Sequence, residues 1–158
     1  YARAPADGDR AADFADVLQT VLQVLHHEFE RRGCRLETDL PEDLLPVAAN
    51  EDELKEVLFN LLLNALEAMP EGGRLRVSAQ SADGRLTASV ADTGVGIPGE
   101  LLERVFEPAF TTKPGGTGLG LSIVRERLRQ AGGSIVCRSA PHGTVMELDL
   151  PLAGRPPA

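Results

Sequence analysis

Along residues 86–92 apolar side chains fall on every second position, and the series ends on an acid. Leu86, Ala88 and Val90 alternate with Thr87, Ser89 and Ala91, and Asp92 takes the next place on the apolar face. Period two marks a β-strand, whose successive side chains point to opposite faces. A chain with this stretch must therefore lay a sheet against a core and carry Asp92 inward with it. An inward carboxylate is costly unless something donates hydrogen bonds to it. Thr93-Gly94-Val95-Gly96-Ile97 follows at once, which sets flexible backbone beside the acid and suggests a hydrogen-bonding ligand. Asp-Thr-Gly is also ordinary turn or N-cap chemistry, so the other segments have to decide.

The flanking patterns set the architecture. Residues 13–32 have helical period, with Phe14, Val17, Leu18, Val21, Leu22, Leu25 and Phe29 on one side, and Gly33 stops the run. Residues 34–40 read as a short strand ended by Pro41, and residues 47–49 as another. Asn50 or Asp52 caps a helix that runs to Met69 before Pro70 and Gly72-Gly73. Leu75, Val77 and Ala79 alternate, and Asp83-Gly84 turns the chain back into the strand that ends at Asp92. A short helix is expected over 98–105, an irregular glycine-rich stretch over 106–118 and a helix over 119–131. Residues 134–138 and 144–150 form a final hairpin around Pro141-His142-Gly143. The sum is an α+β, two-layer α/β sandwich. Its sheet is mixed, mainly antiparallel and of about five strands, with about three helices on one face. Residues 1–12 read as a linker, 13–151 as the domain and 152–158 as a loose tail.

A chain of 158 residues suits one domain with its own core. The formal charge of −8 argues against a nucleic-acid or anionic-membrane surface, so phosphate binding has to be local. Cys34 and Cys137 have neither disulfide-framework nor metal-ligand spacing, which fits reduced thiols in the cytoplasm. No charged-then-apolar leader and no membrane-length apolar run occurs, so a soluble piece is expected, of a parent that could itself be anchored.

Two more segments bear on the site. On the helix over 52–69 the apolar stripe is Leu54, Val57, Leu58, Leu61, Leu62, Ala65, Ala68 and Met69. Asn64 borders that stripe, with Asn60 one turn earlier on the same row. An amide there reaches a cleft while its stem packs on the core, and its oxygen is a hard donor suited to Mg²⁺; two solvated helix asparagines are the alternative. The other segment is Lys113-Pro114-Gly115-Gly116-Thr117-Gly118-Leu119-Gly120-Leu121, whose glycines precede or open a helix. Free amides at a helix start make an anion site, and Lys113 adds a point charge; a surface loop is the alternative. Neither the dinucleotide fingerprint nor a P-loop fits this wording. Thr144 shares its strand face with Met146, Leu148 and Leu150, so it is, like Asp92, a polar side chain on an apolar face.

In this order the segments resemble the catalytic ATP-binding domain of bacterial sensor histidine kinases. That domain has the Bergerat-type fold shared with gyrase-type ATPases, the ninety-kilodalton heat-shock chaperones and the mismatch-repair ATPases. The resemblance covers residues 13–151. It rests on residues 60–69 (NLLLNALEAM), 92–98 (DTGVGIP), 106–113 (FEPAFTTK) and 116–121 (GTGLGL), worded most like the nitrogen-regulation type. It implies that Asp92 accepts from the adenine amine, with Thr144 and Gly96 completing the base contact. It implies Mg²⁺ on Asn64 with Asn60 in support, and a phosphate lid of Lys113, Gly116, Gly118 and Gly120. Gly94, Ile97, Thr117, Leu119 and Leu121 join the nucleotide-contacting set, and Phe106 and Phe110 anchor the lid or meet partner helices. Two positions depart from the usual pattern: Ala109 where Phe is common, and Glu67 where a basic residue is common.

The implied activity is transfer of the ATP γ-phosphoryl group to a histidine on a separate dimerisation domain, which relays it to a response regulator. Superfamily ATPases carry a Glu where Asn60 stands, and an amide cannot take a proton from water; Glu56 and Glu53 on the same row are the candidate substitutes. His27-Glu28 echoes an acceptor motif, yet no Asn/Thr-Pro follows it. His26 and His27 therefore read as helix-surface residues and His142 as a solvated turn. The expected chain is a monomeric catalytic fragment without direct membrane contact. An anti-sigma-factor-type serine kinase and a non-catalytic nucleotide-binding module are the alternatives.

Overall fold

The structure is a computed structural model describing residues 10–110, 120–140 and 142–154. Five strands form one sheet: β1 (Cys34–Asp39), β2 (Gly73–Ala82), β3 (Arg85–Asp92), β4 (Ser134–Ala140) and β5 (Gly143–Pro151), in the order β1-β2-β3-β5-β4. β1 runs parallel to β2 and every other pairing is antiparallel, as the mixed, mainly antiparallel expectation required. The β2–β3 turn has φ 56° at Asp83 and 78° at Gly84, the left-handed pair that a two-residue hairpin needs to match strand twist.

Four helices, α1 (Phe14–Val24), α2 (His26–Arg32), α3 (Glu51–Glu67) and α4 (Gly120–Gln130), accompany the sheet. Asp13 caps α1 by accepting from the Asp16 amide at 3.0 Å. Asn50 caps α3 by accepting from Asp52 at 2.8 Å and Glu53 at 3.3 Å. The core lies between the helices and the inner sheet face. Leu54, Leu58, Leu61 and Leu62 of α3 meet Leu75, Val77, Leu86 and Val90 there, all buried. The outer sheet face is laced by cross-strand ion pairs: Arg76–Asp39 at 3.1 Å, Arg85–Asp149 at 3.2 Å and Arg138–Glu147 at 3.1 Å.

Three local expectations are corrected. The single helix over 13–32 divides at Leu25, which adopts φ −91° and ψ 4° and keeps its own buried side chain and that of Phe29 on the core. Residues 47–49 form no strand: Val47 makes single bridges to Ala12 and Leu152, because Pro46 before it and the Asn50 cap after it leave no room for a ladder. These bridges tie in Ala12 and Leu152, both buried, which the sequence reading places in the flanking segments. The helix expected over 98–105 is two 3₁₀ turns, Gly99–Leu101 and Arg104–Phe106, neither with a side-chain cap.

Candidate functional site

Asp92 and Thr144 are the two buried polar side chains among the described residues, 9% and 4% exposed. The β3–β5 register sets them directly opposite each other, at the end of an inner face that is otherwise Leu86, Ala88, Val90, Met146, Leu148 and Leu150. Asp92 Oδ1 accepts from the Gly94 amide at 2.9 Å, so the acid also shapes the turn that follows it. No hydrogen bond among the described residues uses the Thr144 hydroxyl, while no fully enclosed side-chain N or O among them lacks a partner. The hydroxyl therefore opens onto accessible space at the end of the sheet.

Close packing explains the glycines beside this pair. A Cβ on Gly94 would fall on the Ala68 carbonyl oxygen, 2.8 Å from its carbon and 2.9 Å from the Ala68 Cβ. The same carbonyl accepts from the Val95 amide at 3.1 Å, so the turn sits on the C-terminal end of α3. Gly96 takes φ +75°, and a Cβ there would stand 3.4 Å from the Gly143 carbonyl oxygen. Gly143, with φ +119°, itself lies against the Asp92 carbonyl. One short segment, Gly94 to Ile97, thus bridges α3 and the β4–β5 hairpin. Thr93 fixes its root by accepting from the Arg74 amide at 2.9 Å.

On α3, Asn60 and Asn64 are half-buried, as expected for residues at the border of the stripe. Asn60 Nδ2 donates to the Glu56 carbonyl at 2.8 Å, which turns the amide nitrogen back onto its own helix. Its Oδ1 faces the start of α4, 3.2 Å from where a Cβ on Gly120 would be. Glu56, a candidate substitute base, has its carboxylate 3.6 Å from the Arg127 guanidinium on α4. Of the expected lid, Gly120 and Leu121 open α4; Lys113, Gly116, Thr117, Gly118 and Leu119 lie outside the described residues. Phe106 is buried beneath the Arg125 guanidinium, 5.7 Å from its ring centroid, and Arg104 lies 5.0 Å over Phe110. Ala109, next to Phe110 in sequence, holds φ 67°, a left-handed conformation that a Phe would share only with strain.

The three histidines are exposed, and His142 precedes Gly143 in the β4–β5 turn. His26 pairs with Glu30 at 3.1 Å on an exposed helix face. Among the described residues no three His, Cys, Asp or Glu side chains gather to hold a metal ion. Two hollows elsewhere, about 510 Å³ on the outer sheet face and about 630 Å³ between α1, α2 and β1, are lined by no buried polar side chain. Sequence reasoning missed Thr93 and Gly143. The signal for Gly143 was its place between the hairpin turn and Thr144, which only the strand register converts into contact with Asp92.

Residues 49–154 match the family model described as histidine kinase-, DNA gyrase B-, and HSP90-like ATPase. The chain is similar to the sensor histidine kinase ZraS of Klebsiella oxytoca, 37% identical over 148 residues that make up 92% of this chain and 32% of that protein. It is similar in structure to the catalytic domain of histidine kinase ThkA, with a TM-score of 0.83, 31% identity, and 90% of this chain and 94% of that one covered. A structure of histidine kinase ThkA in complex with the response regulator protein TrrA is also similar, with a TM-score of 0.79, 28% identity, and 90% of this chain and 41% of that one covered.

Proposed function

The chain belongs to the histidine kinase-, DNA gyrase B- and HSP90-like ATPase family, and from that premise we propose that it is the ATP-binding catalytic domain of a sensor histidine kinase, of the nitrogen-regulation type by its wording. It transfers the γ-phosphoryl group of ATP to a histidine on a separate dimerisation domain, from which a response regulator takes it. The observation that carries the reading is the buried Asp92–Thr144 pair at the end of the inner sheet face. A carboxylate accepts from the exocyclic amine of adenine. Guanine presents a carbonyl at that place, which would leave two acceptors facing each other.

The amides of α3 fit Mg²⁺. Asn64 would hold it with Asn60 beside it, and the hydrogen bond that engages Asn60 Nδ2 leaves the oxygen as the group Asn60 turns away from its helix. Bound there, Mg²⁺ neutralises charge on the phosphates. Asn60 holds no proton-accepting group at neutral pH, and the Glu56 carboxylate stands 3.6 Å from the Arg127 guanidinium in a pair more than a third exposed. An amide at position 60 cannot take a proton from water, which supports transfer to an external nucleophile over hydrolysis. Gly96, Ile97 and the lid segment with Lys113, Gly116, Thr117, Gly118 and Leu119 enclose the nucleotide in this reading. The fragment acts as a monomer in the cytoplasm and needs no contact with nucleic acid or membrane.

Calorimetry with ATP and GTP tests the base contact. ATP binds, GTP does not, and Asp92→Ala or Asp92→Asn abolishes measurable ATP binding; near-native affinity in either variant removes Asp92 from the site. Labelled ATP with the dimerisation domain supplied in trans tests the transfer. Acid-labile label on that domain supports it, and acid-stable label on serine or no label at all rejects it.

A further inference from the structure

We infer that Cys137 belongs to the base-binding half of this site, forming its floor on the β4 side, and that an adenine nucleotide covers its thiol on binding. The inference rests on the adenine reading of the Asp92–Thr144 pair. Strand register supplies the geometry. Cys137 stands opposite Met146, which stands opposite Val90, and this row adjoins the row of Asp92, Thr144 and Ser139. Along the inner face of β4, Ile135 is buried in the core, Cys137 is half-buried and Ser139 is exposed. Cys137 is therefore the β4 residue at which the core gives way to open space, beside the two buried polar groups. The Thr144 hydroxyl, nine-tenths buried, without a hydrogen bond among the described residues and on the adjoining row of the same inner face, points to a ligand at this end of the sheet.

The chemistry suits a flat purine. Burial, and then the negative charge of Asp92, push the Cys137 thiol up to about 11, so it stays protonated as a small polarisable surface. Sulfur of that kind packs well against an aromatic ring. It leaves height above the sheet that a larger side chain at 137 would fill.

The chain contains one other cysteine, Cys34, whose Sγ lies 3.7 Å from the Met69 carbonyl oxygen near the start of β1, and which serves as an internal reference. The intact chain is treated with N-ethylmaleimide at mildly alkaline pH, with and without a non-hydrolysable ATP analogue and Mg²⁺. Each cysteine is followed by peptide mass spectrometry, and nucleotide binding is measured in parallel by calorimetry. Saturating nucleotide is expected to slow Cys137 labelling about tenfold, equivalent to roughly 1.4 kcal/mol of protection, with Cys34 unchanged. Bound nucleotide without protection of Cys137, or with equal protection of both thiols, overturns the inference and leaves the adenine reading standing. Absence of any binding heat overturns both. If Cys137 reacts too slowly in the free chain, Cys137→Phe decides. It is expected to weaken ATP about tenfold while thermal unfolding remains cooperative, and wild-type affinity refutes the placement. Cys137→Leu is read in the same way should the Phe variant fail to fold.

Discussion

Gly94 tests whether the turn after β3 is joined to the helix that carries the two amides. In Gly94→Ala the new methyl would fall on the Ala68 carbonyl oxygen, with the Ala68 carbon at 2.8 Å and the Ala68 Cβ at 2.9 Å. All three atoms belong to the end of α3, and two are backbone, so no flexible side chain can swing away. The turn has to lift, and the 3.1 Å hydrogen bond from the Val95 amide to the same carbonyl is lost with it. Overpacking of this kind costs about 1–3 kcal/mol, and the hydrogen bond adds roughly 0.5–1.5 kcal/mol. A total of about 2–4 kcal/mol lowers Tm by roughly 5–15 °C in a domain of this size. Thermal unfolding followed by circular dichroism measures it. Gly99→Ala is the control, since a Cβ there meets nothing and no positive φ is involved; it should stay within about 0.5 kcal/mol of wild type. ATP affinity should fall with stability in Gly94→Ala, because Asp92 sits two residues before the displaced turn. A Gly94→Ala protein that melts with the Gly99→Ala control would refute the coupling of turn and helix.

Thr144→Val removes a buried hydroxyl that makes no hydrogen bond in the described structure. It should leave stability unchanged or raise it by up to about 1 kcal/mol while weakening ATP in calorimetry, and a variant that keeps full ATP affinity would take Thr144 out of the base contact. Asp149 is pushed up by burial but held below its ordinary carboxylate value of 3.8 by hydrogen bonds from Arg85 and from the Ser134 hydroxyl and amide. A lowered folded pKa contributes stability that is complete above the unfolded value and fades as pH falls through the folded one, so the urea midpoints of wild type and Asp149→Asn should differ at neutral pH and converge in acid; a constant gap would contradict the assignment. The Glu56–Arg127 pair is more than a third exposed on both sides, so Arg127→Ala should cost no more than about 1 kcal/mol in unfolding experiments. A larger loss would mean that the pair holds α4 on α3.

The parts of the site that could be read from the chain are those set by local period. Alternation alone turns Asp92 and Thr144 inward, and helical spacing alone puts Asn60 and Asn64 at the border of the α3 stripe. Nothing local says that residue 92 faces residue 144, because that pairing belongs to β3 and β5, strands separated by the whole of α4 and β4. Gly143 and Cys137 take their meaning from the same register and were invisible for the same reason. Gly94 was legible as flexible backbone near a ligand, whereas the structure adds a packing cause, the end of α3 beneath it. The break at Leu25 and the single bridges of Val47 arise where tertiary contacts override a local pattern that reads smoothly in sequence. The sheet would be an uninterrupted apolar floor if Asp92 and Thr144 were Val. Asp92 shapes the turn after β3 and the Thr144 hydroxyl makes no hydrogen bond among the described residues, so their presence side by side on an otherwise apolar face is intelligible once a polar ring lies across them.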